Sequence, residues 1–283
     1  MTISEWLKHA RERLAAHQCP DPDVDARWIA EDALAMTRQA LAFEGDRAIP
    51  MTDLYRLESM LDRRAAGEPV QYILGSADFM GLRFRVNESV LIPRQDTETL
   101  VETALIELRQ RPGCPAVLDL CAGSGCVGLS LASLAPQARV TLTDISPEAL
   151  EVARANAKDL GVRAELRQGD LFDAVIGRRF DVVVSNPPYI PTSELATLQR
   201  EVRFEPRIAL DGGSYGLDFY RRIAEDAPDH LNPGGALFVE VGIGEAPAVL
   251  ALLKQRLPCA QAGTVKDLNG VERVVFAKTR NEE

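Results

Sequence analysis

Histidine is scarce in this chain and cysteine is scattered. His9, His17 and His230 are the only histidines in 283 residues, and the five cysteines, Cys19, Cys114, Cys121, Cys126 and Cys259, form no C-x-x-C pair. This argues against a zinc site, which needs clustered thiolate or imidazole ligands, and no metal is expected. It argues equally against a Ser-His-Asp triad, because no histidine adjoins a nucleophile motif. Thiols spread through a large chain fit a reducing cytoplasm rather than a disulfide framework. No apolar run reaches membrane-spanning length, and the segment from Met1 to Arg11 carries Glu5 and Lys8 instead of a hydrophobic signal core, so neither insertion nor export is expected. Basic charge is short as well: 32 Lys+Arg face 42 Asp+Glu, a formal charge of -10. Residues 1–75 hold 9 basic against 13 acidic side chains and the remainder 23 against 29, so neither part attracts a polyanion. Proteins that act on DNA or RNA normally show a basic stripe for phosphates, and an acidic chain favours a different acceptor. Repeats and low-complexity stretches are absent.

What is present suffices for a large core, since 46% of the residues are hydrophobic. Residues 1–75 show helical periodicity, with Trp6, Leu7, Ala10 and Leu14 on one face, Val24, Ala26, Trp28, Ile29, Ala33 and Leu34 on another, and Leu54, Leu57, Met60 and Leu61 on a third. Breaks at Pro20 to Pro22 and Gly45 to Pro50 divide them, and Gly67-Glu68-Pro69 closes the last helix, which predicts a small helical domain over 1–75. Alternating Phe79, Leu82, Phe84 and Val86 within Gln71 to Val90 suggest a β-hairpin turning near Gly81, a linker over 76–90. From 91 to 283 strands and helices alternate in the α/β manner. Asp211-Gly212-Gly213 and Asn232-Pro233-Gly234-Gly235 read as turns, and Gly263 to Lys266 with Glu272 to Ala277 as an antiparallel terminal pair.

Three strand ends carry chemistry. Ala116 to Leu120 runs into Cys121-Ala122-Gly123-Ser124-Gly125-Cys126-Val127-Gly128 and an apolar helix, a strand, glycine-rich turn and helix start that lets backbone approach a ligand. Gly123, Gly125 and Gly128 satisfy the G-x-G-x-x-G spacing, so the loop alone does not choose between a dinucleotide and another adenosine ligand. The next strand, Arg139 to Thr143, ends in Asp144, a carboxylate placed to accept ribose hydroxyls. A third, Ala164 to Arg167, ends near Gly169-Asp170-Leu171-Phe172, where Asp170 can accept from an adenine amino group and Leu171 or Phe172 can cover its face.

The fourth strand end is the most specific. Phe180 to Ser185 reads as a buried strand and leads directly into Asn186-Pro187-Pro188-Tyr189. A planar amino group, in an amide or a nucleobase, offers two N–H donors and a poorly available lone pair, so it must be held by acceptors. The Asn186 side-chain oxygen and the Pro187 carbonyl are two such acceptors, and the Tyr189 ring is a flat wall on which the group can stack.

Taken together, these segments resemble a class I S-adenosylmethionine-dependent methyltransferase. Val90-Leu91-Ile92-Pro93-Arg94-Gln95-Asp96-Thr97-Glu98, Phe204-Glu205-Pro206, Ala209-Leu210 and Gly216-Leu217 further resemble the release factor glutamine methyltransferases. The resemblance implies a Rossmann-like, mostly parallel seven-stranded sheet with an antiparallel last strand, behind an all-helical domain that recognises the substrate. It implies methyl transfer to the glutamine amide in the Gly-Gly-Gln motif of class 1 peptide chain release factors. Residue by residue, it implies that Cys121, Ala122, Gly123, Ser124, Gly125, Asp144, Asp170, Leu171 and Asn186 hold S-adenosylmethionine. Asn186, Pro187, Pro188 and Tyr189 would hold the glutamine, with Asn186, Pro187 and Tyr189 at the reacting amide. Arg94 or Glu98 would order the methionine end of the donor. Cys121-Ala122 stands where the family usually has glycine and a small hydroxyl residue, so the backbone there must tolerate a side chain. Gly242-Ile243-Gly244-Glu245 replaces a segment in which the family often carries glutamine, and no catalytic role is assigned to it. A ribosomal-protein glutamine methyltransferase and an adenine-N6 methyltransferase share the site and differ in partner. A non-catalytic adenosine-nucleotide binder is the alternative of another class.

Overall fold

The computed structural model describes residues 1–257 and 259–280, and the chain divides into two compact units. One comprises Met1–Ser76 with Gln199–Phe204; the other comprises Ala77–Leu198 with Glu205–Glu283.

In the first unit, helix α1 (Ile3–Ala16) starts at a capping box, with the Thr2 hydroxyl accepting from Glu5 N and the Glu5 carboxylate accepting from Thr2 N at 2.8 Å. Its i, i+4, i+8 stripe of Trp6, Ala10 and Leu14 is buried with residues of α2 (Pro22–Leu34), α3 (Arg38–Phe43) and α4 (Met51–Ala65). Trp6 keeps its polar handle satisfied by donating Nε1–H to Glu58 Oε1 at 2.8 Å. Arg64 is buried, donating to Asp25 Oδ2 at 2.6 Å and to Glu201. Burial pushes the Asp25 carboxyl up, and the Arg64 guanidinium opposes the shift.

The expected hairpin is shorter than Gln71 to Val90. Residues Val70–Leu74 form a helix, α5, started by Pro69 and stopped by Gly75 in the left-handed region at φ 71°. The strands are β1 (Ser76–Phe79) and β2 (Leu82–Arg85), joined through Met80 and Gly81, both at positive φ (52° and 72°). That is the twist a two-residue hairpin loop requires.

The second unit adds α6 (Glu98–Leu108), β3 (Ala116–Leu120), α7 (Cys126–Leu134), β4 (Arg139–Asp144), α8 (Pro147–Leu160), β5 (Glu165–Gln168), β6 (Phe180–Ser185), α9 (Asp218–His230), β7 (Leu231–Glu240), α10 (Ala246–Arg256), β8 (Cys259–Lys266) and β9 (Glu272–Thr279). The sheet order is β5-β4-β3-β6-β7-β9-β8, parallel except for β9, which runs antiparallel between β7 and β8. The seven-stranded sheet with an antiparallel last strand is therefore as expected. Its central strands β3 and β6 are apolar on both sides because both faces are covered, whereas the edge strand β5, Glu165–Gln168, is polar and largely exposed. Val117, Val182 and Val184 point into one core layer with α6, α7 and α8, while Leu118, Leu120 and Val183 point into the other with α9 and α10.

Asn232 to Gly235 does not form a separate turn but lies within β7, where the register against β6 shifts between Phe180 and Val182. Side chains absorb the irregularity: Asn232 Nδ2 donates to Asp181 Oδ1 at 2.8 Å. Among the described residues, no helix is long and apolar enough to cross a membrane.

Candidate active site

The chain order of the strands reverses direction between β3 and β6, and open α/β sheets bind ligands at that switch point. Leu120 and Ser185 are register partners there, so Cys121 and Asn186 leave the sheet side by side. The Ser185 hydroxyl donates to Leu120 O at 2.9 Å and ties the two exits together. A cavity of about 310 Å³ lies over these carboxyl ends.

The glycine loop forms one wall. Cys121 adopts φ 58° despite its side chain, as the sequence comparison with glycine anticipated, and Gly123 follows at φ 56° with nothing within 4 Å of where a Cβ would stand. Gly125 and Gly128 serve a different purpose. A Cβ on Gly125 would meet Leu129 at 2.9 Å, and one on Gly128 would meet Asp119 Oδ2 at 2.8 Å, so these glycines let α7 approach the sheet. Asp119 is buried and accepts from Gly128 N at 2.8 Å; burial pushes its carboxyl up to about 7.

Asp144 stands at the end of β4 and braces the loop as well as facing the cavity. Its Oδ2 accepts from Gly123 N at 2.8 Å and its Oδ1 from Ser146 N at 2.9 Å, while burial raises its pKa. Each oxygen keeps a further lone pair for a ligand hydroxyl. Asp170 reaches the same cavity and pairs with Arg222 at 2.8 Å. Leu171 lines it from a left-handed conformation at φ 50°.

Asn186 and Pro188 line the same cavity. Asn186 donates Nδ2–H to the buried Thr97 Oγ1 at 3.3 Å, which turns its side-chain oxygen away from Thr97. Thus Cys121, Ala122, Gly123 and Ser124 share the cavity with Asp144, Asp170, Leu171, Asn186 and Pro188. Gly125, Pro187 and Tyr189 are not on its wall among the described residues. Pro187 is buried, and the Tyr189 ring packs against the core with Gly242 alongside, where burial pushes the phenol up to about 12. Of the two pre-strand residues, Arg94 lines the cavity and pairs with buried Glu205, whereas Glu98 accepts from Met80 N at 2.6 Å.

Thr97, Asp119, Arg222 and Glu240 were not singled out from sequence. A charged residue inside an apolar run, as in Val117-Leu118-Asp119-Leu120 and Leu237-Phe238-Val239-Glu240, is the signal that finds two of them. Thr97 and Arg222 carry no comparable local signal.

Residues 5–75 match the model of the PrmC N-terminal domain and residues 97–203 that of the methyltransferase small domain. The release factor glutamine methyltransferase of Geobacter sulfurreducens is 46% identical over 275 residues, which cover 97% of this chain and 95% of that one. The chain belongs to the release factor glutamine methyltransferases. The member from Moorella thermoacetica is 41% identical over 284 residues, covering all of both chains. A solved methyltransferase from Pyrococcus furiosus shares the fold at a TM-score of 0.53 and 21% identity, covering 71% of this chain and 91% of that one.

Release factor glutamine methyltransferases depend on S-adenosylmethionine, and the cavity fits it. The space over Gly123 admits a ligand where a side chain would intrude, and Asp144 offers acceptors. The Ser124 hydroxyl lines the cavity buried, with no hydrogen-bond partner among the described residues, as expected of a group whose partner is a ligand.

Proposed function

We propose that this protein methylates the side-chain amide nitrogen of the glutamine in the Gly-Gly-Gln motif of class 1 release factors, with Asn186 and Pro187 holding the amide and the glycine loop, Asp144 and Asp170-Leu171 holding the cofactor. S-adenosylmethionine would supply a methyl carbon made electrophilic by the sulfonium sulfur, which leaves as a neutral thioether when the S–CH3 bond breaks. The work of the chain is then to align the acceptor and exclude water, and no strong base is needed. Accepting both amide protons, at Asn186 Oδ1 and the Pro187 carbonyl, polarises the nitrogen and biases it toward the tetrahedral geometry of attack. The proton leaves to water after the new N–C bond has formed, when the nitrogen is cationic and acidic.

The observation that carries this reading is the pairing of Leu120 with Ser185, which sets the glycine loop beside Asn186 across one cavity. The helical unit is assigned to docking the release factor, and the acidic charge speaks for a protein partner over sequence-specific nucleic acid. The cytoplasm, where release factors act, is the assigned location. The test is incubation with methyl-labelled S-adenosylmethionine and, separately, a release factor, its Gln→Ala tip variant and duplex DNA. Label on the wild-type factor alone supports the reading; label on DNA moves the function to nucleobase methylation.

A further inference from the structure

Glu240 ends β7, is 2% exposed and lies outside the cavity wall. Its Oε2 has no hydrogen-bond partner among the described residues, and no ion pair satisfies it there. A buried carboxyl in that condition is costly and calls for an explanation. Thr97 and Asn186 are the polar side chains that favour its charged form, and Asn186 donates Nδ2–H to Thr97 Oγ1 at 3.3 Å.

An ionised carboxylate can only accept. Beside it, the single hydroxyl proton of Thr97 would turn to Glu240, leaving Thr97 Oγ1 only lone pairs to offer Asn186, the direction in which the Asn186–Thr97 bond runs. Asn186 must then present its NH2 to this pair and its Oδ1 to the cavity. We propose that Glu240 is a positioning residue for the methyl acceptor, the acceptor-only end of a Glu240–Thr97–Asn186 chain that fixes which face of the Asn186 amide meets the substrate. The proposal rests on the reading that Asn186 Oδ1 holds the glutamine amide. If Glu240 were a neutral acid it could donate to Thr97, and the order of the chain would reverse.

The surroundings allow that switch. Burial pushes Glu240 up to about 7; Arg273 on β9 opposes the shift and Asp96, ahead of α6, adds to it. Arg273 is engaged with Asp96 at 2.7 Å and Asp267 at 3.1 Å. The other titratable groups whose charges couple to Glu240 are Tyr189, Cys126 at the start of α7 and Tyr220 on α9, with Glu245 facing Tyr189 and Tyr220. Burial pushes Tyr189 and Cys126 each up to about 12 and Tyr220 well above its ordinary value, so none of the three ionises near neutrality.

The experiment compares wild type with Glu240→Gln, Thr97→Val and Thr97→Ser in the full chain, reading kcat on a release factor, S-adenosylmethionine affinity and the side-chain 15N–1H signal of Asn186. Glu240→Gln and Thr97→Val are each expected to lower kcat ~10- to 100-fold, the effect of one misdirected hydrogen bond. Thr97→Ser, which keeps the hydroxyl, should stay near wild type. Cofactor affinity should hold within about 2-fold in all three, which also reports that they are folded. Wild-type kcat should fall on the acid side of about 7, and this limb should vanish in Glu240→Gln. The Asn186 NH2 signal should shift in Glu240→Gln and Thr97→Val without any substrate present. Unchanged kcat, acid limb and Asn186 signal in Glu240→Gln overturn the proposal. Failure of the wild type to label the release factor, with the Asn186 signal behaving as stated, overturns only the substrate reading.

Discussion

Gly212 sits against the backbone of Tyr189 so closely that a Cβ on it would lie 2.7 Å from Tyr189 Cα and 2.8 Å from Pro188 O. The contact is reinforced on either side, with Gly212 N donating to Ile190 O at 2.8 Å and Ile190 N to Leu210 O at 2.9 Å. The loop that carries Asn186 is therefore clasped by a second loop, and the clasp has no slack. Gly212→Ala must displace the Asn-Pro-Pro-Tyr backbone, and a displacement near 1 Å at a reacting group costs up to ~10²-fold in rate. We expect kcat to fall by at least ~10-fold with S-adenosylmethionine affinity unchanged, measured by single-turnover labelling and calorimetry.

Asn186→Ala removes the acceptor itself. Deleting one preorganised hydrogen-bonding group at a reaction centre typically costs ~10²- to 10³-fold in kcat, and that is the expected loss. Cofactor affinity should stay nearly intact; a large drop would assign Asn186 to the donor side instead.

Asp119 is one of the groups that make stability depend on pH, since burial raises its carboxyl to about 7 in the folded state. Unfolded, it titrates at about 4. The folded protein therefore holds a proton between these values that the unfolded chain has lost. The contribution of this group is fully present below about pH 4 and lost as pH rises through about 7. Asp119→Asn keeps an acceptor for Gly128 N and should make stability decline less steeply across that window, read from urea midpoints at several pH values.

Arg64 bridges Asp25 and Glu201 inside the helical unit, and removing it leaves a buried carboxylate unpaired. Arg64→Met should cost ~3–5 kcal/mol, and adding Asp25→Leu should recover a large part of it. Trp6 and Trp28, the two tryptophans of the chain, both lie in this unit, so tryptophan fluorescence follows its unfolding.

Docking by the helical unit predicts a separate kinetic signature. Phe43 and Tyr55 are 92% and 71% exposed on it, two large aromatic side chains open to solvent among the described residues. Replacing both by serine should raise KM for the release factor ~5- to 30-fold and leave kcat in place, the range for losing interface anchors.

Much of the sheet edge was legible because β3 and β6 are short apolar runs followed by residues that break a strand, Gly123 after one and Pro187 with Pro188 after the other, and because Asp144 and Gly169 mark where β4 and β5 end. Lengths were less so. Val70 to Leu74 is apolar in every position but one, which a strand and a buried helix both tolerate, and only Pro69 and Gly75 at its ends decide for the helix. Asn232 to Gly235 has turn chemistry, yet β7 absorbs it by changing register. What the sequence conceals is partnership at long range. Thr97 and Asn186 are 89 residues apart, and nothing in either segment names the other.

The position of β9 bears on how the chain leaves the ribosome. β8 is synthesised before β9, but β9 is its only neighbour in the sheet, and β9 must slot between β8 and β7. Until β9 emerges, β8 is a nascent segment with an open edge on both flanks, the state in which strands are captured by chaperones or pair with strands of other chains. β8 thus owes its place in the sheet to a single strand that follows it in the chain, and its edges stay open to misassembly until β9 has paired.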